Sequence, residues 1–179
     1  DPKTGQLATW FCEPIGTRHR EGRLVESWQP APLPEAAMDN ARSIAARITG
    51  ALASCGIFSV EMFVSGDDVY FSQVTPRPSR DGLVTFVTQR INQFDLQAHA
   101  TQRLPIDSTL ISPGAVRFLE GHPSQAALAA AMAVEEVTVR MLGDGTLVLA
   151  TADSAAEARQ RTDEAVREIY RVDGKPGEN

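Results

Sequence analysis

Gly56-Ile57-Phe58-Ser59-Val60-Glu61-Met62-Phe63-Val64 and, after a short polar break, Val69-Tyr70-Phe71-Ser72-Gln73-Val74-Thr75-Pro76-Arg77-Pro78 form the stretch that decides the fold. Two runs rich in β-branched and aromatic residues flank a glycine-bearing turn, the pattern of a β-hairpin. Side chains alternate along a strand, so Glu61 shares a face with Ile57, Ser59 and Phe63, and Gln73 shares one with Val69, Phe71 and Thr75. Setting Glu61 opposite Gln73 requires the three-residue loop Gly66-Asp67-Asp68 and brings the side chains to about 5 Å at Cβ. A slip of one residue would send Gln73 to the other face. A carboxylate beside an amide offers oxygen ligands to Mg²⁺, a hard cation that usually shares substrate phosphates. The amide lacks the charge of a second carboxylate, so the expected metal affinity is weaker. The alternative is a plain hairpin with a solvated Glu61. Arg77 stands between two prolines, which aim a guanidinium fork suited either to phosphate oxygens or to a surface salt bridge.

The composition around this hairpin is that of a globular protein with one good core or two small ones. Of 179 residues, 42% are hydrophobic and 22% charged, with a formal net charge of -6. That balance argues against nucleic acid or an anionic membrane as the main partner, although Arg18-His19-Arg20 is a local basic cluster. No run approaches the roughly 18 apolar residues of a membrane span, and no signal peptide is visible. Cys12 and Cys55 make neither a disulfide framework nor a zinc site. They read as reduced thiols of a cytoplasmic protein, buried as small apolar residues. His19, His99 and His122 share no ligand spacing. The chain opens at Asp1, as an excerpt or processed product would.

Outward from the hairpin, Leu7–Cys12 reads as a strand, Gly16 to Gly22 as a polar turn, and Arg23–Trp28 as a strand that pairs back. The prolines at 30, 32 and 34 make an extended connector. A helix is expected from Pro34 to Ser54, with Met38, Ala41, Ile44, Ala45, Ile48 and Leu52 inward and Gly56 as its left-handed cap. A second helix is expected from Thr88 to Thr101, with Ile91, Phe94, Leu96 and Ala98 inward. Then come a strand at Ala115–Leu119, a helix from Ser124 to Ala133 and a hairpin around Gly143-Asp144-Gly145. A last helix to Tyr170 is capped at Asp153 or Ser154, with Glu157 completing a capping-box pattern.

Further residues carry a resemblance. Glu13-Pro14-Ile15-Gly16-Thr17-Arg18-His19-Arg20, Glu26-Ser27-Trp28-Gln29-Pro30 and both hairpin strands through Pro76-Arg77-Pro78 stand in an order similar to one enzyme family. The chain resembles the carboxy-terminal half of formate-dependent phosphoribosylglycinamide formyltransferase, also called glycinamide ribonucleotide transformylase 2, of the ATP-grasp superfamily. The likeness is strongest from Phe11 to Leu104 and stays collinear to Tyr170. It implies an α+β fold. The second half of an ATP-grasp domain, an antiparallel sheet with packed helices, would occupy residues 1–106. A small carboxy-terminal α/β lobe would occupy 107–172, and a flexible tail 173–179.

The family makes formylglycinamide ribonucleotide, in purine biosynthesis, from formate, ATP and glycinamide ribonucleotide by way of formyl phosphate. The resemblance implies that Glu61 matches the first magnesium carboxylate and that Gln73 stands where the family has a second, glutamate. Arg77 matches the arginine beside the phosphates. The family continues His-Asp-Thr-Gly, whose aspartate meets the substrate amine. Ser79-Arg80-Asp81-Gly82 puts Arg80 at that place, and Asp81 serves instead only if the loop shifts by one residue. After Met141 the family has a longer basic loop for phosphates. Leu142-Gly143-Asp144-Gly145-Thr146 is short and acidic, so that Coulomb attraction is lost. The implied partners are Mg²⁺ and ATP, a small-molecule amine, and a second copy in a homodimer. The family's substrate domain and ATP-clamping lid have no counterpart in these residues, so Mg-ATP binding by this chain alone is expected to be weak. Two other readings stay open: a non-catalytic ATP-grasp paralogue that serves binding or assembly, and a related ligase with another amine substrate.

Overall fold

The computed structural model describes residues 8–143 and 145–174. Among the described residues seven strands and five helices follow one another as β1 Gly16–Arg20, β2 Arg23–Gln29, α1 Glu35–Leu52, β3 Ser59–Ser65, β4 Asp68–Thr75, α2 Thr85–Thr88, α3 Gln93–Thr101, β5 Gly114–Glu120, α4 Gln125–Met132, β6 Val137–Leu142, β7 Gly145–Thr151 and α5 Ala155–Asp173. A 3-10 turn, Asp81–Val84, leads into α2. Five strands form one antiparallel sheet in the order β1-β2-β5-β7-β6, while among the described residues β3 and β4 pair only with each other.

Both faces of the larger sheet are covered, which explains why its central strands read as continuous apolar runs. Along β5 and β7 the side chains alternate between the faces. Leu119 and Val148 meet Ala127 and Ala131 of α4 and Ala165, Val166 and Ile169 of α5. Val116, Phe118, Leu147 and Leu149 face the other way, against Leu83 and Val84 of the 3-10 turn. Full burial of Leu147 and Leu149 stabilises by about 1.5–3 kcal/mol each. In α5 the Ser154 Oγ accepts from Glu157 N at 3.1 Å, but the Glu157 carboxylate turns to Arg161 at 3.1 Å, so only half of the capping box forms.

Charge is also built into this layer. Glu26 of β2 has no exposed surface and accepts from Arg159 of α5 through both oxygens, at 2.9 and 3.1 Å. Arg18 of β1 lies 2.9 Å from the same carboxylate. The Arg159 guanidinium also stacks 3.9 Å from the Trp28 ring centroid, so one buried acid ties α5 to the β1–β2 ribbon. Nearby, Arg117 pairs with Asp163, and burial pushes its guanidinium down from its ordinary value.

Several expectations are corrected. Leu7 lies outside the described residues, and residues 8–15 carry no strand. The partner of β2 is Gly16–Arg20, read from sequence as a turn, while the turn itself is Glu21-Gly22. The segment is a polar edge strand with Thr17 to Arg20 exposed, so it lacks the apolar alternation of a half-buried strand. The first helix ends earlier, with Ala53 rather than Gly56 in the left-handed cap. Its expected stripe is only half-buried at Met38, Ala41, Ile44, Ala45 and Ile48, and Leu52 is exposed. The second helix begins at Gln93, because the Asn92 side chain accepts from Phe94 N and Asp95 N and caps it there. Of its expected inward residues Leu96 is buried, whereas Phe94 and Ala98 are exposed. Cys55 is exposed rather than buried. Asp173 belongs to α5, and residues 175–179 and Asp144 lie outside the described residues. The β2–β5 pairing joins early and late parts of the chain in one sheet, so a boundary after residue 106 falls between strands of a single layer.

Candidate functional site

The β3–β4 hairpin closes through two residues, Gly66 and Asp67, with Ser65 paired to Asp68. Gly66 takes φ +60 at the first loop position, where hairpins of the II′ type place glycine. The expected three-residue loop is therefore corrected. Counted from this shorter loop alone, Glu61 would face Ser72. A bulge intervenes: Met62 pairs with Phe71, Glu61 with Gln73, and Ser72 is the extra residue. One inserted residue shifts the register by one and brings Gln73 opposite Glu61. Gln73 Nε2 donates to Glu61 Oε2 at 2.6 Å. Gln73 is exposed and Glu61 half-buried. The loop is tied to α1 by Asn40 Nδ2, which donates to Asp67 O at 3.3 Å.

Beyond β4, Arg77 is exposed and donates to the neighbouring Pro78 O at 3.1 Å. The next residues are held by Gln93, the first residue of α3, whose side chain is buried. Its Oε1 accepts from Ser79 N at 3.0 Å and its Nε2 donates to Ser79 O at 2.9 Å. Gly82 packs so closely here that a Cβ would run into Gln93 Oε1. This two-point clamp orients the loop on both sides of Ser79. Asp81 turns toward the hairpin: its Oδ2 accepts from Ser59 Oγ at 3.3 Å, and its backbone O accepts from Ser27 Oγ at 2.8 Å. Arg80 turns the opposite way and lies 5.3 Å from the Phe118 ring centroid. Glu61, Arg77 and Asp81 therefore line one open groove of about 1940 Å³, and Arg80 does not.

The groove runs from the hairpin past Trp10, which is 62% exposed, to Trp28 and the start of α5. Cys12 lies in its wall, where burial pushes the thiol up from its ordinary value. Among the described residues no group of three His, Cys, Asp or Glu side chains could hold a metal ion. No helix among them is long and apolar enough to cross a membrane. The oxygen donors placed together in the hairpin are Glu61 and Gln73.

The family model for the ATP-grasp domain matches residues 3–94, a span that contains the hairpin, the proline-flanked arginine and the Gln93 clamp. The chain belongs to the ATP-grasp family. Similar proteins include the formate-dependent phosphoribosylglycinamide formyltransferase of Corynebacterium efficiens, 51% identical over 174 residues that cover 90% of this chain and 43% of that protein. The structure of glycinamide-RNase-transformylase T from Mycobacterium tuberculosis superposes with a TM-score of 0.82 at 45% identity, over 88% of this chain and 49% of that one. The phosphoribosylaminoimidazole carboxylase ATPase subunit of Aquifex aeolicus shares the fold, with a TM-score of 0.80 at 21% identity over 90% of this chain and 52% of that one. This ATP-grasp chain spans less than half the length of these curated relatives.

Sequence reasoning missed three contributors: the Ser72 bulge, the Gln93 clamp and the Glu26–Arg159 pair. Asn92 immediately before Gln93 is the available signal for the clamp, since an Asn cap fixes where α3 starts and so which residue meets Ser79. The bulge has no comparable mark, because Ser72 suits either side of a strand.

Proposed function

We propose that this chain forms the metal- and phosphate-facing wall of an ATP-dependent enzyme that activates formate and transfers it to the amine of glycinamide ribonucleotide. The observation that carries this reading is the register that sets Gln73 beside Glu61, which lines the groove together with Arg77 and Asp81. The donor set fits a magnesium ion shared with phosphates: one carboxylate from Glu61 and, once the amide turns, one neutral oxygen from Gln73. Arg77 would meet phosphate oxygens through its fork. When bound, Mg-ATP supplies the phosphoryl group that activates a carboxylate. The chain's own part is placement. Gln93 holds the Ser79 backbone and thereby aims Arg77 and Asp81. Asp81, oriented by Ser59, is the groove carboxylate positioned to take a proton from an attacking amine.

The test is a chimera in which this chain replaces the matching segment of the Corynebacterium efficiens relative. ADP release that depends on both formate and glycinamide ribonucleotide is the expected result. Absence of such release, both with Gln73 and with Gln73→Glu, would refute the reading. A second reading, a related ligase with another amine substrate, is favoured by one observation: Arg80, which the resemblance places where the family has its amine-binding acid, lies against Phe118 and outside the groove lining.

A further inference from the structure

We propose that a second pocket, bounded by Arg80, Leu83, Phe86, Phe94 and Leu142, binds a carboxylate carried on an apolar body. Its volume is about 340 Å³, within the roughly 300–1,000 Å³ typical of small-molecule sites. Phe86 and Phe94 form one wall, with ring centroids 5.7 Å apart and planes inclined by 30°. Leu83 and Leu142 extend the apolar surface. Arg80 belongs to the lining and lies 5.3 Å from the Phe118 ring centroid; Arg140, outside the lining, lies 4.5 Å from the centroid of the wall ring Phe86. Among the described residues neither guanidinium is in an ion pair. Stacking on a ring face holds a guanidinium plane while its N–H edge remains available to a carboxylate fork. In a chain of net charge -6, two arginines with no ion-pair partner among the described residues, one in the pocket wall and one on a wall ring, are a local departure that an anionic ligand would complement. Among the described residues the walls offer a sugar phosphate no further hydrogen-bonding side chains beyond Ser79 and Arg80, whereas an aryl or branched alkyl group would fill them.

Ser79 borders both this pocket and the groove of Glu61, and Gln93 fixes its backbone. A ligand here therefore sits next to the loop that carries Arg77 and Asp81. A role for this ligand as an amine-bearing acceptor rests on the second reading, a related ligase with another amine substrate; its binding does not.

The test uses the full chain without nucleotide or metal, so that failure of the catalytic reading leaves it untouched. Phenylpropionate is the probe, with phenylpropanamide and ribose phosphate as comparisons, followed by calorimetry and NMR shift mapping. Saturable binding of the carboxylate is expected, with shifts at Phe86, Phe94 and Leu142. Arg80→Gln should weaken it by about tenfold or more through loss of the charged fork. Leu142→Glu, which places a carboxylate at the rim, should do the same. Both positions are exposed, and thermal melts check that the variants stay folded. Equal binding of the amide, tighter binding of ribose phosphate, shifts elsewhere, or an unchanged Arg80→Gln affinity would each overturn the proposal.

Discussion

Gln73→Glu turns the hairpin's amide donor into a second acceptor and sets two carboxylates against each other where a 2.6 Å hydrogen bond now stands. With the charges relaxed to about 5 Å, their repulsion is about 0.8 kcal/mol in bulk water and about 3 kcal/mol at an effective dielectric of roughly 20. Gln73 is exposed and Glu61 half-buried, so the lower figure governs. Loss of the hydrogen bond, screened by solvent, adds no more than about 1 kcal/mol. The variant should therefore be about 1–2 kcal/mol less stable than the parent at neutral pH without a divalent cation. Repulsion raises the folded-state pKa of one carboxylate above its unfolded value. The deficit is accordingly present above that raised pKa and shrinks as pH falls through it. Magnesium at ten times its dissociation constant should restore about 1.4 kcal/mol. Urea melts of both proteins, with and without Mg²⁺, at neutral pH and near the carboxylate range, read all of these effects. Identical stability of parent and variant, with no response to Mg²⁺ in either, would show that the side chains do not share one site.

Three other outcomes follow from the same geometry. Gln93→Ala removes two hydrogen bonds to Ser79 and leaves a buried gap, so a loss of about 2–3 kcal/mol is expected in urea melts, with faster amide exchange at Ser79; unchanged exchange would mean that the clamp does not fix the loop. Cys55 is exposed, whereas burial raises the Cys12 thiol pKa and reduces its thiolate, so alkylation near neutral pH should proceed in a fast phase at Cys55 and a slow one at Cys12; peptide mapping that finds Cys12 labelled first would contradict this. Hydrogen bonds from the Ser124 hydroxyl and backbone N–H hold the Asp173 carboxyl below its usual range, so its contribution is present above the unfolded pKa and is lost as pH falls through the depressed folded value. Amide protection at Ser124 should fall in that acid window, and Asp173→Asn should remove the pH dependence.

The β3–β4 hairpin, the carboxy-terminal helices, strand β5 and the β6–β7 hairpin were legible because each carries its own local signal. Glu61 and Gln73 alternate with apolar neighbours, Ser154 caps α5, and Ala158, Ala165 and Ile169 recur at helical spacing. Features that depend on distant partners were not legible. Thr17-Arg18-His19-Arg20 looks like a turn until Glu26 is seen to be buried beneath Arg18 and Arg159. Trp10 and Phe11 look like strand residues, yet they border an open groove. The opposite directions of Arg80 and Asp81 are set by Phe118 and Ser59, both remote in the chain, and no count along the sequence could assign them.

Gln29 and Gly114 face each other across β2 and β5, so the chain leaves the sheet after one and rejoins it at the other. Everything between them, the candidate site included, is an excursion whose ends nearly touch, and a short linker could in principle splice it out. The sheet would not survive that surgery unharmed. Leu83 and Val84, carried on the excursion, roof Val116, Phe118, Leu147 and Leu149. Selection acting on the loop that bears Arg77, Arg80 and Asp81 thus also acts on the waterproofing of the scaffold beneath it, and new chemistry here must come from changing tips while leaving the roof in place.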